Sequence, residues 1–255
     1  MTPDWTPLDT ELARWRDAGL RLPFWWRDDD AVEPGPALDR LIALAGRFDL
    51  PLHLAVIPAG ATRALAETVT RNPALIPLVH GWAHASHAPE GQKKAEFGAH
   101  RPLAQMRAEA ERGLATLTEL FGPSLAPVFV PPWNRMAPDL APDLPALGYT
   151  MLSTFGPRPG AQAAPELALV NTHLDPIDWR GSRSLVAPDR LIAQLAGALA
   201  DRREGRADTA EPYGLLTHHL VHDAAIWSFT EALLSRLLAG PVTLWTAPRL
   251  PEAGP

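Results

Sequence analysis

Leu22-Pro-Phe-Trp-Trp-Arg27, followed at once by Asp28-Asp29-Asp30, decides the fold. A compact apolar run that ends in charge reads as a buried strand leading into a site loop. Residues 36–48 follow with helical spacing at Leu38, Leu41, Ile42, Leu44 and Ala45, proline near the start and a break at 49–51. The same alternation continues along the chain. Strands are expected at 52–57, 75–80, 128–130, 149–154, 167–171, 214–218 and 242–245. Helices are expected at 59–69, 103–121, 140–147, 188–203 and 226–238, the second of them closed by Gly122-Pro123. Strands separated by helices of this length imply parallel β-α units, and seven or eight of them point to a barrel rather than an open sheet. The loops at 156–165 and 204–211 read as mobile insertions, not domain linkers.

The 255 residues suffice for one large domain or two small ones. Apolar residues at 46% and charged residues at 20% allow a sizeable core. A net charge of −6 argues against a general nucleic-acid binder, which is usually basic. The absence of cysteine removes disulfides, thiolate metal sites and cysteine nucleophiles. Met1-Thr-Pro-Asp-Trp5 opens with neither a basic nor an apolar signal region, so a cytoplasmic location is expected. No apolar run reaches membrane-spanning length. Among the nine tryptophans, Trp25, Trp26, Trp82 and Trp133 lie in or beside the candidate site, where aromatics suit stacking on sugar faces; core packing is the plainer account for most of them.

In a parallel barrel, catalytic groups gather at the C-terminal ends of the strands. The first strand is followed by Asp28–Asp30, the third ends in His80 with His84 and His87 close behind, and the fourth runs into Pro131-Pro132-Trp133-Asn134-Arg135. His173 and Asp175 follow the sixth strand, and His218, His219 and His222 the seventh. Of the nine histidines, all but His53 fall in or beside these loops. Three adjacent carboxylates repel one another, and a bound divalent cation relieves that; an acidic turn or helix cap is the alternative. His80-Gly-Trp-Ala-His84 sets two imidazoles four residues apart, which on a helical turn point to one side. Two nitrogens and one carboxylate oxygen suit a divalent ion with a position left for water. One aspartate with His80 and His84 is the expected ligand set, with His87 in reserve.

Phe24-Trp-Trp-Arg-Asp-Asp-Asp-Ala31 resembles the Thr-Phe-Asp-Asp-Gly motif of the polysaccharide deacetylases (NodB homology, carbohydrate esterase family 4). His80–His84 resembles their His-Ser/Thr-x-x-His, Phe129-Val-Pro-Pro-Trp133 their Arg-x-Pro-aromatic, and Gly214-Leu-Leu-Thr-His218 their apolar strand ending in histidine. The motifs stand in family order across residues 22–245. The resemblance implies one domain over 1–255, a distorted (β/α)7–8 barrel and a single divalent metal. Zinc is foremost, with Co2+, Ni2+ or Mn2+ as alternatives. It implies removal of an N-acetyl or related acyl group from a small or oligomeric amino sugar. By position, Asp29 becomes the base and Asp30 the metal ligand with His80 and His84, though a shift to Asp28 and Asp29 stays open. His218 becomes the acid and the backbone N–H of Trp133 an oxyanion donor. Pro132, Trp133, Asn134, His87 and His222 are expected to line the substrate groove.

Three positions depart from the pattern. Val130 stands where the third motif has an arginine that orients the catalytic aspartate; Arg27, Arg101 and Arg135 are the available substitutes. Ala31 replaces the first motif's glycine, and Gly81 the Ser/Thr after the first histidine. A catalytically impaired carbohydrate-binding barrel and a metallohydrolase of another amide or ester are the competing functions. Phosphoesters rank low because no cluster of basic residues for phosphate is evident. The polar stretch Lys93–Arg101 reads as a solvated loop or a substrate contact, and Asn171–Trp179 as a substrate-binding wall in which Asp175 or Asp178 caps turns.

Overall fold

The buried run that opens at Leu22 continues through its charged residues: β1 (Leu22–Ala31) takes in all three aspartates. In the computed structural model, which describes residues 2–251, successive side chains of β1 part to opposite faces. Phe24 and Trp26 join an outer core with Leu41, Leu65, Leu114 and Leu195, between sheet and helices. Trp25 joins a smaller core with Ala55, Leu78, Val130 and Met151, the filling of the barrel lumen. A strand with apolar neighbours on both faces has no use for alternation, which explains the unbroken apolar sequence.

Around β1 stand β2 (Leu52–Val56), β3 (Leu75–His80), β4 (Val128–Val130), β5 (Met151–Leu152), β6 (Gln162–Ala164), β7 (Leu167–Leu169), β8 (Tyr213–Thr217) and β9 (Val242–Leu244). Among the described residues they form one sheet in the order β6-β7-β5-β4-β3-β2-β1-β8, with β9 against the start of β1. Every pairing is parallel except β6 with β7. Beyond β7 the chain reaches β8 through a single bridge, Leu174 to Leu215, so the curled sheet closes loosely into a distorted barrel. Gly214 permits that approach. A Cβ there would lie 2.5 Å from Trp25 Nε1 and 2.8 Å from Thr172 Cα.

Among the described residues six helices, α1 (Thr6–Asp17), α2 (Pro36–Arg47), α3 (Arg63–Arg71), α4 (Leu103–Phe121), α5 (Pro188–Arg203) and α6 (Ala224–Ala239), cover the outside. Two expectations are corrected, and a helix appears where none was assigned. Residues 140–147 form 3-10 turns over Pro138–Asp143 and Pro145–Leu147 rather than an α-helix, because Pro142 and Pro145 remove backbone donors. The expected insertion at 156–165 contains β6. The chain start, unassigned from sequence, is α1, which buries Leu8, Leu12 and Trp15 from one face and donates Trp15 Nε1 to Leu199 C=O at 3.1 Å. Met1 and residues 252–255, the ends of the expected domain, lie outside the described residues. No helix among those described is long and apolar enough to cross a membrane.

Candidate active site

The pleat of β1 separates the three aspartates. Asp28 follows Trp26 on the outer face and is fully buried there. It accepts from Thr217 Oγ1 at 2.6 Å and from the His219 N–H at 3.0 Å, and its other oxygen meets His219 Nδ1. Burial alone would raise the Asp28 pKa, but His219 and Thr217 hold it below the usual carboxylate range. Asp29 follows Arg27 into the lumen. Asp30 would turn outward again, but its φ of 77° and a register shift between Asp28 and Ala31 swing it toward the lumen mouth. A left-handed aspartate at a strand end is a strained position of the kind found at functional sites.

There Asp30 Oδ1 lies 3.1 Å from His80 Nε2 and 3.2 Å from His84 Nε2. One donor atom from each residue falls within 4.8 Å of the others. His80 Nδ1 is 3.0 Å from the Val130 carbonyl, which only accepts, so Nδ1 carries the hydrogen and Nε2 turns its lone pair toward Asp30. Two imidazole nitrogens and a carboxylate oxygen facing one another need a proton or a cation among them. Burial would lower the His80 pKa, yet Asp30 and Asp29 raise it, while burial and the charge of His80 lower that of His84. Burial likewise fails to raise Asp30, whose carboxyl is held well down by His80, His218 and His84. Three convergent donors of this chemistry fit a divalent metal ion.

The two histidines do not share a helical turn, as their spacing suggested. His80 ends β3, and the chain then bends through Gly81 (φ 58°) to His84 (φ 54°). Buried Glu96 shapes this bend. Its carboxylate accepts the N–H groups of Trp82 at 3.1 Å, Ala83 at 2.7 Å and Ala85 at 3.4 Å. A side chain at Gly81 would strike Glu96 Oε2 at 2.4 Å and Pro132 Cδ at 2.5 Å, so glycine is required where the resembled motif has Ser or Thr. The stretch Lys93–Arg101 is therefore not a uniformly solvated loop. Its Glu96 is 1% exposed.

Asp29 is gripped by Arg27. Nε reaches Oδ1 at 2.8 Å and Nη2 reaches Oδ2 at 3.1 Å, with both residues buried. The same guanidinium donates to Ser153 Oγ at 2.7 Å and Asn134 Oδ1 at 2.7 Å. Among Arg27, Arg101 and Arg135, Arg27 alone touches Asp29: Arg101 pairs with Glu109, and Arg135 donates to the Lys94 carbonyl.

Asp29, Asp30, His80, His84 and His218 line one cavity of about 700 Å³ at the C-terminal ends of the strands, with Trp133, Asn134, Asp175 and Trp179. Trp133 (φ 56°) and Asn134 (φ 55°) are both left-handed, and the Trp133 ring packs 4.3 Å from His84. His218 stacks edge-on against Trp179 at 4.8 Å, and its Nδ1 is buried without a hydrogen-bond partner among the described residues. Burial pushes the Asp175 carboxyl up, against the pull of His218. Asp175 accepts from Trp179 Nε1 at 2.7 Å, and Asp178 caps the N–H groups of Gly181 and Ser182 at 3.1 Å each.

Three expected groove residues sit elsewhere. His87 is exposed on an irregular segment outside the cavity lining, Pro132 is buried beneath Gly81, and His222 packs on Trp227, its Nε2 accepting the His218 N–H at 3.3 Å. Of the four tryptophans expected near the site, only Trp133 lines it; Trp25 fills the lumen, Trp26 faces the outer core, and Trp82 lies under Arg112. Trp179, 39% exposed, lines it as well.

No family model matches this sequence, and no curated protein matches it. Solved structures do share its fold. A family 4 carbohydrate esterase from Streptomyces lividans, in complex with acetate, aligns over 91% of this chain and 98% of its own at 14% identity and a TM-score of 0.57. A family 4 esterase of Streptococcus mutans aligns over 88% and 86% at 11% identity and 0.57. A mutant family 4 pseudoenzyme with restored enzymatic activity aligns over 88% and 65% at 11% identity and 0.56. The resemblance to polysaccharide deacetylases seen in the motifs thus holds for the fold. At these identities the likeness establishes the barrel, and the chemistry rests on the residues.

Proposed function

We propose that this barrel is a metal-dependent hydrolase that removes an N-acetyl or related acyl group from an amino sugar or similar amide. One observation carries the reading: the Asp30, His80 and His84 donors open onto the same cavity as the Arg27-held Asp29 and His218. A divalent ion held there, zinc foremost, would polarise the acyl carbonyl and make water easier to deprotonate. Asp29 takes the proton from the attacking water. Arg27 fixes that carboxylate in place and leaves each oxygen a further lone pair. His218 delivers a proton to the departing amine, a role suited to an imidazole. Trp133 contributes an apolar wall beside His84, and its N–H is the candidate donor to the oxyanion, as the motif resemblance implies.

Acetate release from N-acetylglucosamine and its oligomers, with and without added Zn2+, tests this. Metal-stimulated turnover that is lost in Asp29→Asn and His218→Ala supports it; zinc-loaded protein inert on every N-acyl sugar overturns it. The fold shared with a pseudoenzyme favours a second reading, a barrel that only binds carbohydrate. Sugar binding without turnover, and indifferent to Asp30→Ala, would identify that case.

A further inference from the structure

We infer that the substrate carries a phosphoryl group, held at the cavity mouth by Lys94 and Arg135 on one side and Arg180 and Arg183 on the other. All four line the cavity, and none has an acidic partner among the described residues. That contrasts with a chain whose net charge is −6. The three carboxylates lining the cavity are already engaged: Asp29 by Arg27, Asp30 by two histidines, Asp175 by Trp179 and Ile177. With the proposed cation on Asp30, positive charge outweighs the carboxylates of Asp175 in the cavity and Asp178 in the adjoining turn, so the mouth faces substrate as a net cationic collar.

The collar is built rather than incidental. On one side the Asp178 carboxylate caps Gly181 and Ser182, and the Arg183 N–H donates to the Asp178 carbonyl at 2.9 Å. A Cβ at Gly181 would lie 2.3 Å from Asp178 Oδ2, so the turn admits no larger residue without moving. Arg183 is itself left-handed, at φ 56°, and lies over the Trp179 ring at 5.4 Å. On the other side Lys94 stands over Trp133 at 5.9 Å and its carbonyl accepts from Arg135. Each flank thus couples an aromatic face, suited to a sugar ring, to two cations suited to phosphate oxygens. Sequence alone did not show this, because the four residues come from three separated loops.

This inference rests on the proposed deacetylase reading, and binding separates the two. Calorimetry on zinc-loaded Asp29→Asn protein would compare N-acetylglucosamine 1-phosphate with N-acetylglucosamine at low and high salt. Preference for the phosphorylated ligand of at least ~10-fold at low salt is expected, weakening as salt screens the collar. In an added Arg180→Ser/Arg183→Ser background the preference should collapse, and Arg180→Lys/Arg183→Lys should retain most of it. Equal affinity for both ligands overturns the inference while leaving the deacetylase reading standing. A preference untouched by Arg180→Ser/Arg183→Ser also overturns it, since the zinc ion would then be the anion's partner. Tight phosphosugar binding by a wild-type protein that never releases acetate supports the anion site and overturns the deacetylase reading. Sedimentation with vesicles of phosphatidylcholine and phosphatidylglycerol distinguishes a lipid source: co-sedimentation without affinity for the soluble phosphosugar overturns a sugar-phosphate ligand.

Discussion

Arg27 and Asp29 stand two residues apart on β1, and the pleat that places both in the lumen lets them form a two-point ion pair. Under the proposed function, the orienting arginine of the resembled third motif is supplied from the aspartate's own strand. Val130, at the usual position, is left to fill the lumen with Val128 and Leu78. The exchange is conservative in physical terms: a planar guanidinium still meets a carboxylate through two N–H bonds.

Removing that guanidinium strands Asp29 as a buried charge. Arg27→Gln is expected to lower turnover by roughly 10²–10⁴. It should also destabilise the fold by about 3–5 kcal/mol. Bound zinc should stay near one equivalent. Kinetics, urea unfolding and metal analysis on one preparation check all three. Full turnover in the variant would remove Asp29 from the chemistry.

Glu96 touches no candidate ligand, yet it accepts the N–H groups that shape the His80–His84 bend. In Glu96→Gln one acceptor oxygen is replaced by an amide donor facing those N–H groups. Zinc affinity is expected to fall about 10- to 100-fold, as for other residues that orient metal ligands. Competition with a chromophoric chelator measures this, and an unchanged affinity would make Glu96 a fold residue only.

His53, the one histidine away from the site loops, closes the lumen floor. Its Nδ1–H donates to the Trp26 carbonyl and its Nε2 accepts from the Ala247 N–H, both at 3.0 Å, between Trp25 and Trp245. Burial pushes its pKa down to about 4, with Arg249 and Arg27 adding repulsion. The unfolded chain therefore takes up this proton first. Stability tied to neutral His53 is complete above its ordinary pKa and falls as pH drops toward about 4. The loss is about 1.4 kcal/mol per pH unit, roughly 3 kcal/mol across the window. Urea unfolding between pH 7 and pH 4.5 should show this slope in wild type and a flatter one in His53→Gln. Parallel slopes would reject the assignment.

Much of this was legible in the sequence. β3, β4, α4 and α5 fall on their expected ranges, because apolar runs and helical periodicity between prolines and glycines leave little choice. The meeting of one aspartate of the acidic run with His80 and His84 was readable from the motifs, while their register left more than one aspartate open. What escaped depends on contacts distant in sequence or on single dihedral angles. The placing of Asp30 beside His80 and His84, apart from Asp28 on the outer face, turns on one left-handed residue. Glu96 looked like part of a charged loop, and only folding buries it behind Gly81. His87 and His222 were expected in the groove, yet His87 lies exposed past the bend and His222 packs on Trp227. α1 was there to be read, since Leu8, Leu12 and Trp15 share one helical face.

The metal centre is the central claim, and equilibrium zinc binding across the acidic run tests it most directly. Wild type, Asp28→Asn and Asp29→Asn are expected to bind about one equivalent, with Asp28→Asn less stable because it breaks the buried contact to His219. Asp30→Ala and His80→Ala, measured at a zinc concentration that saturates wild type and with folding verified by circular dichroism, are expected to bind none. Folded Asp30→Ala protein that keeps its zinc, or folded Asp29→Asn protein that loses it, would contradict the assignment of Asp30 as ligand.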